Sequence, residues 1–184
     1  MSTEPAAPTQ PQETDAGHAD PISAAVAANE AYVSAHGHQR LATEPAKRLA
    51  IVTCMDSRLD IFGALGLELG QAHIIRNAGG LATDDVLRSL ILSQRKLGTE
   101  RIMLIHHSRC GLEGLDEDDL RAAITAETGV ESKVVFGAFA DPAESVRATA
   151  KRLNHEPALR HLELRGFVFD VDSGELREVK LDEA

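Results

Sequence analysis

One stretch in the first third of the chain, residues 49–60 (LAIVTCMDSRLD), limits the possible folds more than any other. Its first four residues are all apolar, which is typical of a strand buried on both faces. Three reactive side chains follow at Cys54, Asp56 and Arg58. The sequence therefore predicts a buried strand whose carboxyl end delivers a thiol, a carboxylate and a guanidinium into a crevice.

A second apolar run, residues 101–105, ends in a similar way. It leads into the sequence HHSRCG, which places His107 and Cys110 just beyond another predicted strand. Functional groups of parallel α/β sheets gather at the carboxyl ends of the strands. We therefore expect Cys54, His107 and Cys110 to lie close together.

These three residue types indicate a metal site. Zinc prefers thiolate and imidazole ligands in a tetrahedral shell, and catalytic zinc has three protein ligands and one open position. The chain contains only two cysteines, so a closed all-thiolate site is impossible. The sequence predicts Zn²⁺ held by Cys54, His107 and Cys110, with the open position making hydroxide available near neutral pH.

Asp56 and Arg58 are the predicted catalytic residues. A carboxylate this close to zinc could bind the metal and block it. An arginine paired with the carboxylate would hold it off the metal and keep it ionised. Asp56 could then accept a hydrogen bond from the hydroxide and fix its orientation.

Each of these residues alone has a simpler interpretation. A single Cys or His at a strand end is usually a buried packing residue, and an Asp/Arg pair is usually a surface ion pair of little energetic worth. The combination at one edge is what favours a metal site. His106 should face away from His107, because side chains alternate along a strand, and we assign it to packing or a hydrogen bond.

The segment RNAGG, residues 76–80, follows another short predicted strand at residues 73–76. Two interpretations stay open. The segment lines the pocket, in which case Ala78 and Gly79 are the predicted substrate-binding residues, or it is a strand-to-helix turn.

The remaining sequence alternates predicted strands and helices. A helix over residues 21–39 ends near Gly37, and further helices begin at the capping residues Thr83, Asp116 and Asp141. Residues 133–136 fit either a strand extension or a loop. Strands are predicted at residues 166–171 and, after a turn, at residues 176–179. This order predicts an α/β fold: a mainly parallel β-sheet flanked by helices, with a C-terminal antiparallel hairpin strand.

Length and composition limit the number of domains and the kinds of partner that the chain can have. A chain of 184 residues suits one domain. Residues 1–20 carry four acids and no Lys or Arg, which predicts a disordered acidic tail before a single zinc domain at residues 21–184. The net charge of −10 argues against nucleic-acid or anionic-membrane partners. Two cysteines and the lack of a signal or membrane-spanning run favour a cytoplasmic protein.

Three motifs together resemble one family. CMDSR at residues 54–58, RNAG at residues 76–79 and HxxCG at residues 107–111 are similar to the β-class carbonic anhydrases, particularly the compact bacterial and archaeal branch. The resemblance covers about residues 51–111, and RGFVFDV near the C-terminus is also similar to small members. Gly80 departs from the RNAGN of many members.

The resemblance implies a function and an assembly. It implies zinc held by Cys54, His107 and Cys110, with Asp56 and Arg58 as a dyad beside zinc-bound water. It implies reversible hydration of carbon dioxide to bicarbonate and a proton by attack of zinc-bound hydroxide. It also implies a homodimer or a tetramer of dimers, in which the N-terminal helix reaches across to the partner subunit.

Other functions remain open at this point. A carbonyl sulfide or carbon disulfide hydrolase on the same scaffold would use the same ligands, and a non-catalytic zinc protein would add Asp56 as the fourth. A nucleotide-binding protein fits less well, because no Gly-rich phosphate loop follows the first strand. A redox pair of Cys54 and Cys110 would leave His107, Asp56 and Arg58 unexplained.

Overall fold

The computed structural model describes residues 20–36, 40–160 and 163–181. The chain divides into two compact units, residues 1–40 and 41–184, which we describe separately. The predicted tail lies outside the described residues except for Asp20, whose carboxylate accepts a hydrogen bond from the backbone N–H of Ser23. The predicted single domain over residues 21–184 stays a prediction.

The first unit contains one described helix, α1 (Pro21–His36). The helix agrees with the expectation from its alanine-rich sequence, since alanine has the highest helix propensity. Its larger aliphatic side chains are exposed: Ile22 by 74%, Val26 by 61% and Val33 by 62%. These three residues lie on one stripe of the helix, because each residue advances about 100° around the axis.

The second unit is built on a five-stranded sheet. The strands are β1 (Leu49–Cys54), β2 (Ala72–Asn77), β3 (Arg101–His107), β4 (Glu163–Phe169) and β5 (Leu176–Val179). Their order is β2-β1-β3-β4-β5. The first four strands are parallel, and β5 pairs antiparallel with β4. The predicted fold class is confirmed.

The described residues of the second unit also form four α-helices: α2 (Ile61–Leu65), α3 (Asp84–Arg95), α4 (Glu117–Thr128) and α5 (Pro142–Asn154). The predicted caps are confirmed, since the side chains of Thr83, Asp116 and Asp141 each accept a backbone N–H of the first turn. Residues 133–136 form a loop. Among the described residues, no helix has the length and hydrophobicity needed to cross a membrane.

The interior strand β1, which lies between β2 and β3, is buried on both faces of the sheet. Its residues Ala50, Ile51 and Val52 are all 0% exposed. One face of the sheet packs against apolar residues of α3 and α5. The other face carries a second cluster that includes both cysteines. The candidate site therefore lies where β1 leaves this second cluster.

Both boundaries of β4 were predicted wrongly. β4 begins at Glu163 rather than at residue 166, and it ends at Phe169 rather than at residue 171. The early start is stabilised by parallel pairing of Glu163 with Arg101, whose side chains form an ion pair at 3.0 Å. The early end follows from Asp170, whose carboxylate accepts the backbone N–H groups of the next turn.

Gly166 allows α5 to pack directly on β4, which leads to a stability prediction. A Cβ atom at this position would clash with Cγ1 of Val146 and lie 3.1 Å from Cδ2 of Leu181. We expect Gly166→Ala to lower the free energy of unfolding by about 1–3 kcal/mol, measured by denaturant titration.

The variant Val146→Ala supplies the control, because it removes the methyl group that would clash. The cost of Gly166→Ala should be smaller in that background than in the original chain. An equal cost in both backgrounds would show that the contact with Val146 is not the cause.

Candidate metal centre

The carboxyl ends of β1 and β3 bring the two cysteines together. Thr53 pairs with Ile105 in the parallel ladder, so the residues after them lie side by side. The Sγ atoms of Cys54 and Cys110 are 3.9 Å apart, and both residues are buried. Both are free thiols.

His107 completes the cluster. Its side chain is 0% exposed, and its Nδ1 lies 3.0 Å from the carbonyl oxygen of Ser108. Because a carbonyl can only accept, Nδ1 carries the proton and Nε2 keeps a lone pair. Nε2 is buried and has no hydrogen-bond partner among the described residues. A buried nitrogen in this state is suited to bind a metal ion.

The donor set fits one zinc ion. The ligand atoms of Cys54, His107 and Cys110 all lie within 4.8 Å of one another. In a tetrahedral site with zinc–sulfur bonds of about 2.3 Å, the two sulfur atoms are about 3.8 Å apart. The observed sulfur separation of 3.9 Å matches this value. The sequence therefore identified three residues that the fold does bring together.

The two thiols have different electrostatic surroundings. Burial alone would raise the pKa of Cys54, but the contact with His107 and nearby backbone N–H groups lower it overall. Burial raises the pKa of Cys110, and the adjacent Cys54 adds to this effect. Cys54 is therefore the thiol that more readily becomes a thiolate in the absence of metal.

Asp56 and Arg58 form the predicted pair. Arg58 donates from Nε to Oδ1 of Asp56 at 2.9 Å and from Nη2 to Oδ2 at 2.6 Å. These bonds hold the pKa of Asp56 well below its usual range. Oδ2 of Asp56 is 3.8 Å from Nε2 of His107, so the carboxylate borders the metal cluster.

The loop between His107 and Cys110 is held by the turn between β4 and β5. The backbone N–H of Ser108 donates to the carbonyl of Phe169 at 3.0 Å. The Ser108 hydroxyl in turn accepts from the backbone N–H of Val171 at 3.1 Å. Arg109, in the left-handed region with φ +53°, pairs with Asp172.

Arg76 has a structural role that the sequence did not reveal. Its guanidinium donates to the backbone carbonyls of Cys54 at 2.9 Å, Asp56 at 2.6 Å and Leu59 at 3.3 Å. It therefore fixes the loop that carries the Asp56–Arg58 pair. Sequence alone offered only the RNAG motif as a signal, because the partners of Arg76 are backbone atoms.

Ala78 and Gly79, the predicted substrate-binding residues, lie in a 3-10 turn after β2. The N–H of Gly79 donates to the sulfur of Cys54 at 3.3 Å. Ala78 lines a cavity of about 990 Å³ whose lining does not include Cys54, His107 or Cys110. A substrate contact for either residue stays a prediction.

His106 packs and makes a hydrogen bond, as predicted. Its Nε2 lies 3.1 Å from the carbonyl oxygen of Gly80, and its ring stacks on Phe139 at a centroid distance of 6.3 Å. Burial lowers the pKa of His106 to about 4. The ring is therefore neutral at physiological pH.

Comparison with known proteins agrees with this geometry. The family model described as carbonic anhydrase matches residues 49–120, the segment that contains the whole cluster. The chain is 48% identical over 136 residues to β-carbonic anhydrase 1 of Mycobacterium tuberculosis, covering 73% of this chain and 83% of the relative.

Two further proteins extend the comparison. The crystal structure of the carbonic anhydrase from Streptococcus mutans superposes with a TM-score of 0.85 at 41% identity, covering 89% of this chain and 100% of that chain. A carbon disulfide hydrolase of Acidithiobacillus thiooxidans is 33% identical over 153 residues, covering 71% of this chain and 76% of the relative.

Substitution of one thiol tests whether the cluster binds metal. We expect Cys54→Ser to lose the zinc that the unchanged protein binds at about one ion per chain, because an alcohol is a far weaker zinc ligand than a thiolate. Elemental analysis after gel filtration measures the metal content. Met55→Ser, at a 67% exposed neighbouring position, is the control and should retain zinc. Full retention by Cys54→Ser would remove Cys54 from the cluster.

Proposed function

The chain belongs to the β-class carbonic anhydrases, and we propose that Cys54, His107 and Cys110 bind its zinc while Asp56 and Arg58 organise the reaction. The enzyme catalyses the zinc-dependent, reversible hydration of carbon dioxide to bicarbonate and a proton. The substrate is therefore a small, linear electrophile.

One observation carries the ligand assignment. The buried Nε2 of His107 has no hydrogen-bond partner among the described residues, and it lies in a cluster with two buried thiols. Leaving a buried polar atom unpaired costs about 1–3 kcal/mol. A metal ion bound at this atom removes that cost. Three protein ligands leave one coordination position for chemistry.

The metal and the protein contribute different parts of the reaction. When bound, zinc acts as a Lewis acid that lowers the pKa of water and so supplies a nucleophile at neutral pH. The protein holds the two thiols and the imidazole in place through the ends of β1 and β3. The bond from Nδ1 of His107 to the Ser108 carbonyl orients the ring and fixes its tautomer.

Asp56 acts as a hydrogen-bond acceptor at the edge of the cluster. Both of its carboxylate oxygens already accept bonds from Arg58, and these bonds hold the carboxylate in one orientation. A fixed carboxylate can orient a water molecule in the cleft toward carbon dioxide. Arg58 is itself held by a bond of 2.9 Å from Nη2 to the carbonyl of Arg109.

Two alternative functions, hydrolysis of carbon disulfide and non-catalytic zinc binding, can be distinguished from carbon dioxide hydration. Hydrolysis of carbon disulfide is the less supported substrate choice. Over comparable lengths, a carbon disulfide hydrolase of Acidithiobacillus thiooxidans is 33% identical to this chain, whereas β-carbonic anhydrase 1 of Mycobacterium tuberculosis is 48% identical. A non-catalytic site would use Asp56 as a fourth ligand. Removing the Asp56 carboxylate would then weaken zinc binding, whereas in a catalytic site zinc remains.

The role of Asp56 can be measured directly. We expect the unchanged enzyme to hydrate carbon dioxide rapidly in stopped-flow assays between about pH 6.5 and 9. Asp56→Asn should retain zinc and lose at least about 100-fold in kcat, because the nucleophile loses its oriented acceptor.

Asp118→Asn is the matched control, since it removes the same charge from an exposed position on α4. It should retain full activity. Normal turnover in Asp56→Asn would eliminate the orienting role. Loss of zinc in that variant would instead support the closed, non-catalytic site. A zinc-loaded, unchanged protein that is inactive toward carbon dioxide would favour the sulfur-containing substrates.

We also propose that the protein is a homodimer, alone or within a tetramer of dimers, in which α1 contacts the partner subunit. Members of the family are commonly oligomeric. The exposed aliphatic stripe of Ile22, Val26 and Val33 supports a contact of this kind, because contiguous exposed apolar side chains are typical of protein interfaces.

Charged substitutions on α1 test this assembly. The unchanged protein should have about twice the 19.8 kDa mass of one chain, or a larger multiple, by light scattering. The double variant Val26→Glu/Val33→Glu should shift toward the mass of one chain. Ala24→Glu/Ala31→Glu adds the same charge on the opposite side of the helix and should not. An unchanged mass in the first variant would exclude α1 from the interface.

The cysteine geometry also supports a cytoplasmic location. Two free thiols whose sulfur atoms are 3.9 Å apart are close enough to be oxidised to a disulfide with a small movement. Zinc binding requires both as thiolates. We therefore propose that the protein functions in a reducing compartment, and fractionation of cells that produce it would test the location.

A further inference from the structure

The 3-10 turn Ala78–Gly80 is folded closely against the end of β1. At its centre, Gly79 has φ +78° and directs its N–H toward the sulfur of Cys54 at a distance of 3.3 Å. The sulfur and the glycine are both buried. This N–H is therefore a hydrogen-bond donor to a proposed zinc ligand.

Gly80 brings the turn close enough to β1 for this bond. Its φ of +70° lies in the left-handed region, and a Cβ atom there would lie 3.0 Å from the carbonyl carbon of Thr53 and 3.1 Å from the backbone nitrogen of Cys54. Side chains larger than glycine would push the turn away from the strand. The approach of the two backbones thus depends on this glycine.

His106 also contacts this turn. Its side chain is 1% exposed, and its Nε2 is 3.1 Å from the carbonyl oxygen of Gly80. Since a carbonyl accepts only, Nε2 carries the proton, and Nδ1 has no partner within the described residues. The stacked ring of Phe139 supports the imidazole. Among the described residues, this buried side chain therefore makes its hydrogen bond to the turn.

We propose that His106 is a positioning residue: by donating to the carbonyl of Gly80, it holds the N–H of Gly79 on the sulfur of Cys54. This inference rests on the proposed role of Cys54 as a zinc ligand. A hydrogen bond to a thiolate draws charge from the sulfur, so less charge reaches the metal and the metal stays a stronger Lewis acid.

The effect matters because of the composition of the ligand set. Two thiolates donate more charge than two imidazoles, which makes the metal less able to acidify water. Hydrogen bonds to the thiolates oppose this loss. His106 therefore influences the metal indirectly: it bonds the carbonyl of Gly80, and the N–H of Gly79 in the same turn bonds the sulfur of Cys54. It does not need to contact substrate to have this effect.

Two variants separate the hydrogen bond from simple packing. His106→Leu fills space but cannot donate, whereas His106→Gln places an amide N–H at a similar distance along the side chain. In the zinc-loaded protein, we expect the His106→Leu variant to show hydrogen exchange of the Gly79 amide that is at least about tenfold faster than in the unchanged protein. In cobalt-substituted protein, the thiolate-to-cobalt absorption band should move to longer wavelength, because the sulfur becomes more electron-rich. Gln should restore both properties.

Each outcome decides a separate question. If His106→Leu binds cobalt fully and changes neither the exchange rate nor the band, the proposal is wrong. A Gln variant that behaves like Leu would also overturn it, because donation would not be the cause. If the His106→Leu variant does not fold, His106→Asn replaces it, because an asparagine side chain is too short to reach Gly80. Comparison of His106→Asn with His106→Gln then provides the same test. An unchanged protein without a thiolate-to-cobalt band would instead refute the proposed ligand role of Cys54.

Discussion

The metal centre depends on the position of β1 between two parallel neighbours. β2 pairs with one edge of β1, and β3 pairs with the other. Because these three strands are parallel, their carboxyl ends lie at the same side of the sheet. Arg76 at the end of β2 therefore reaches the carbonyl of Cys54, and the ligand atoms of Cys54 and His107 lie within 4.8 Å of each other. The burial of β1 on both faces makes this register strongly preferred, because a shift of one residue would turn its apolar side chains to the wrong faces.

Hydrogen bonds from two arginines hold the loops that follow these strands. Arg76 uses its guanidinium on three backbone carbonyls of the loop after β1. Arg58 bridges the carboxylate of Asp56 and the carbonyl of Arg109. The two arginines thus tie the loops after β1 and β3 to each other and to β2. Preorganisation of this kind keeps the proposed acceptor, Asp56, and the proposed ligand atoms in place before substrate arrives.

The sequence was informative where function depends on side-chain type, and less so where it depends on backbone atoms. Cys54, His107 and Cys110 were identified because thiol and imidazole groups followed apolar runs. The hydrogen bonds made by Arg76 and by the N–H of Gly79 could not be predicted from the sequence. Each of them involves a backbone group, and the position of a backbone group is known only once the chain has folded. The start of β4 was missed because Glu163 and Arg165 made its first residues look polar. Their side chains form ion pairs with Arg101 and Glu178 on neighbouring strands.

The contact between the Ser108 loop and the turn after β4 has a consequence for the order of events during synthesis. Ser108 and Val171 are separated by 63 positions in the chain, yet they are joined by a hydrogen bond beside the proposed metal ligands. A ribosome makes both cysteines and His107 well before it makes Val171 and Asp172. The loop between His107 and Cys110 therefore gains this support only after Val171 and Asp172 have been made. Until then, the nascent chain carries all three proposed zinc ligands, while the loop that joins His107 to Cys110 still lacks this anchor.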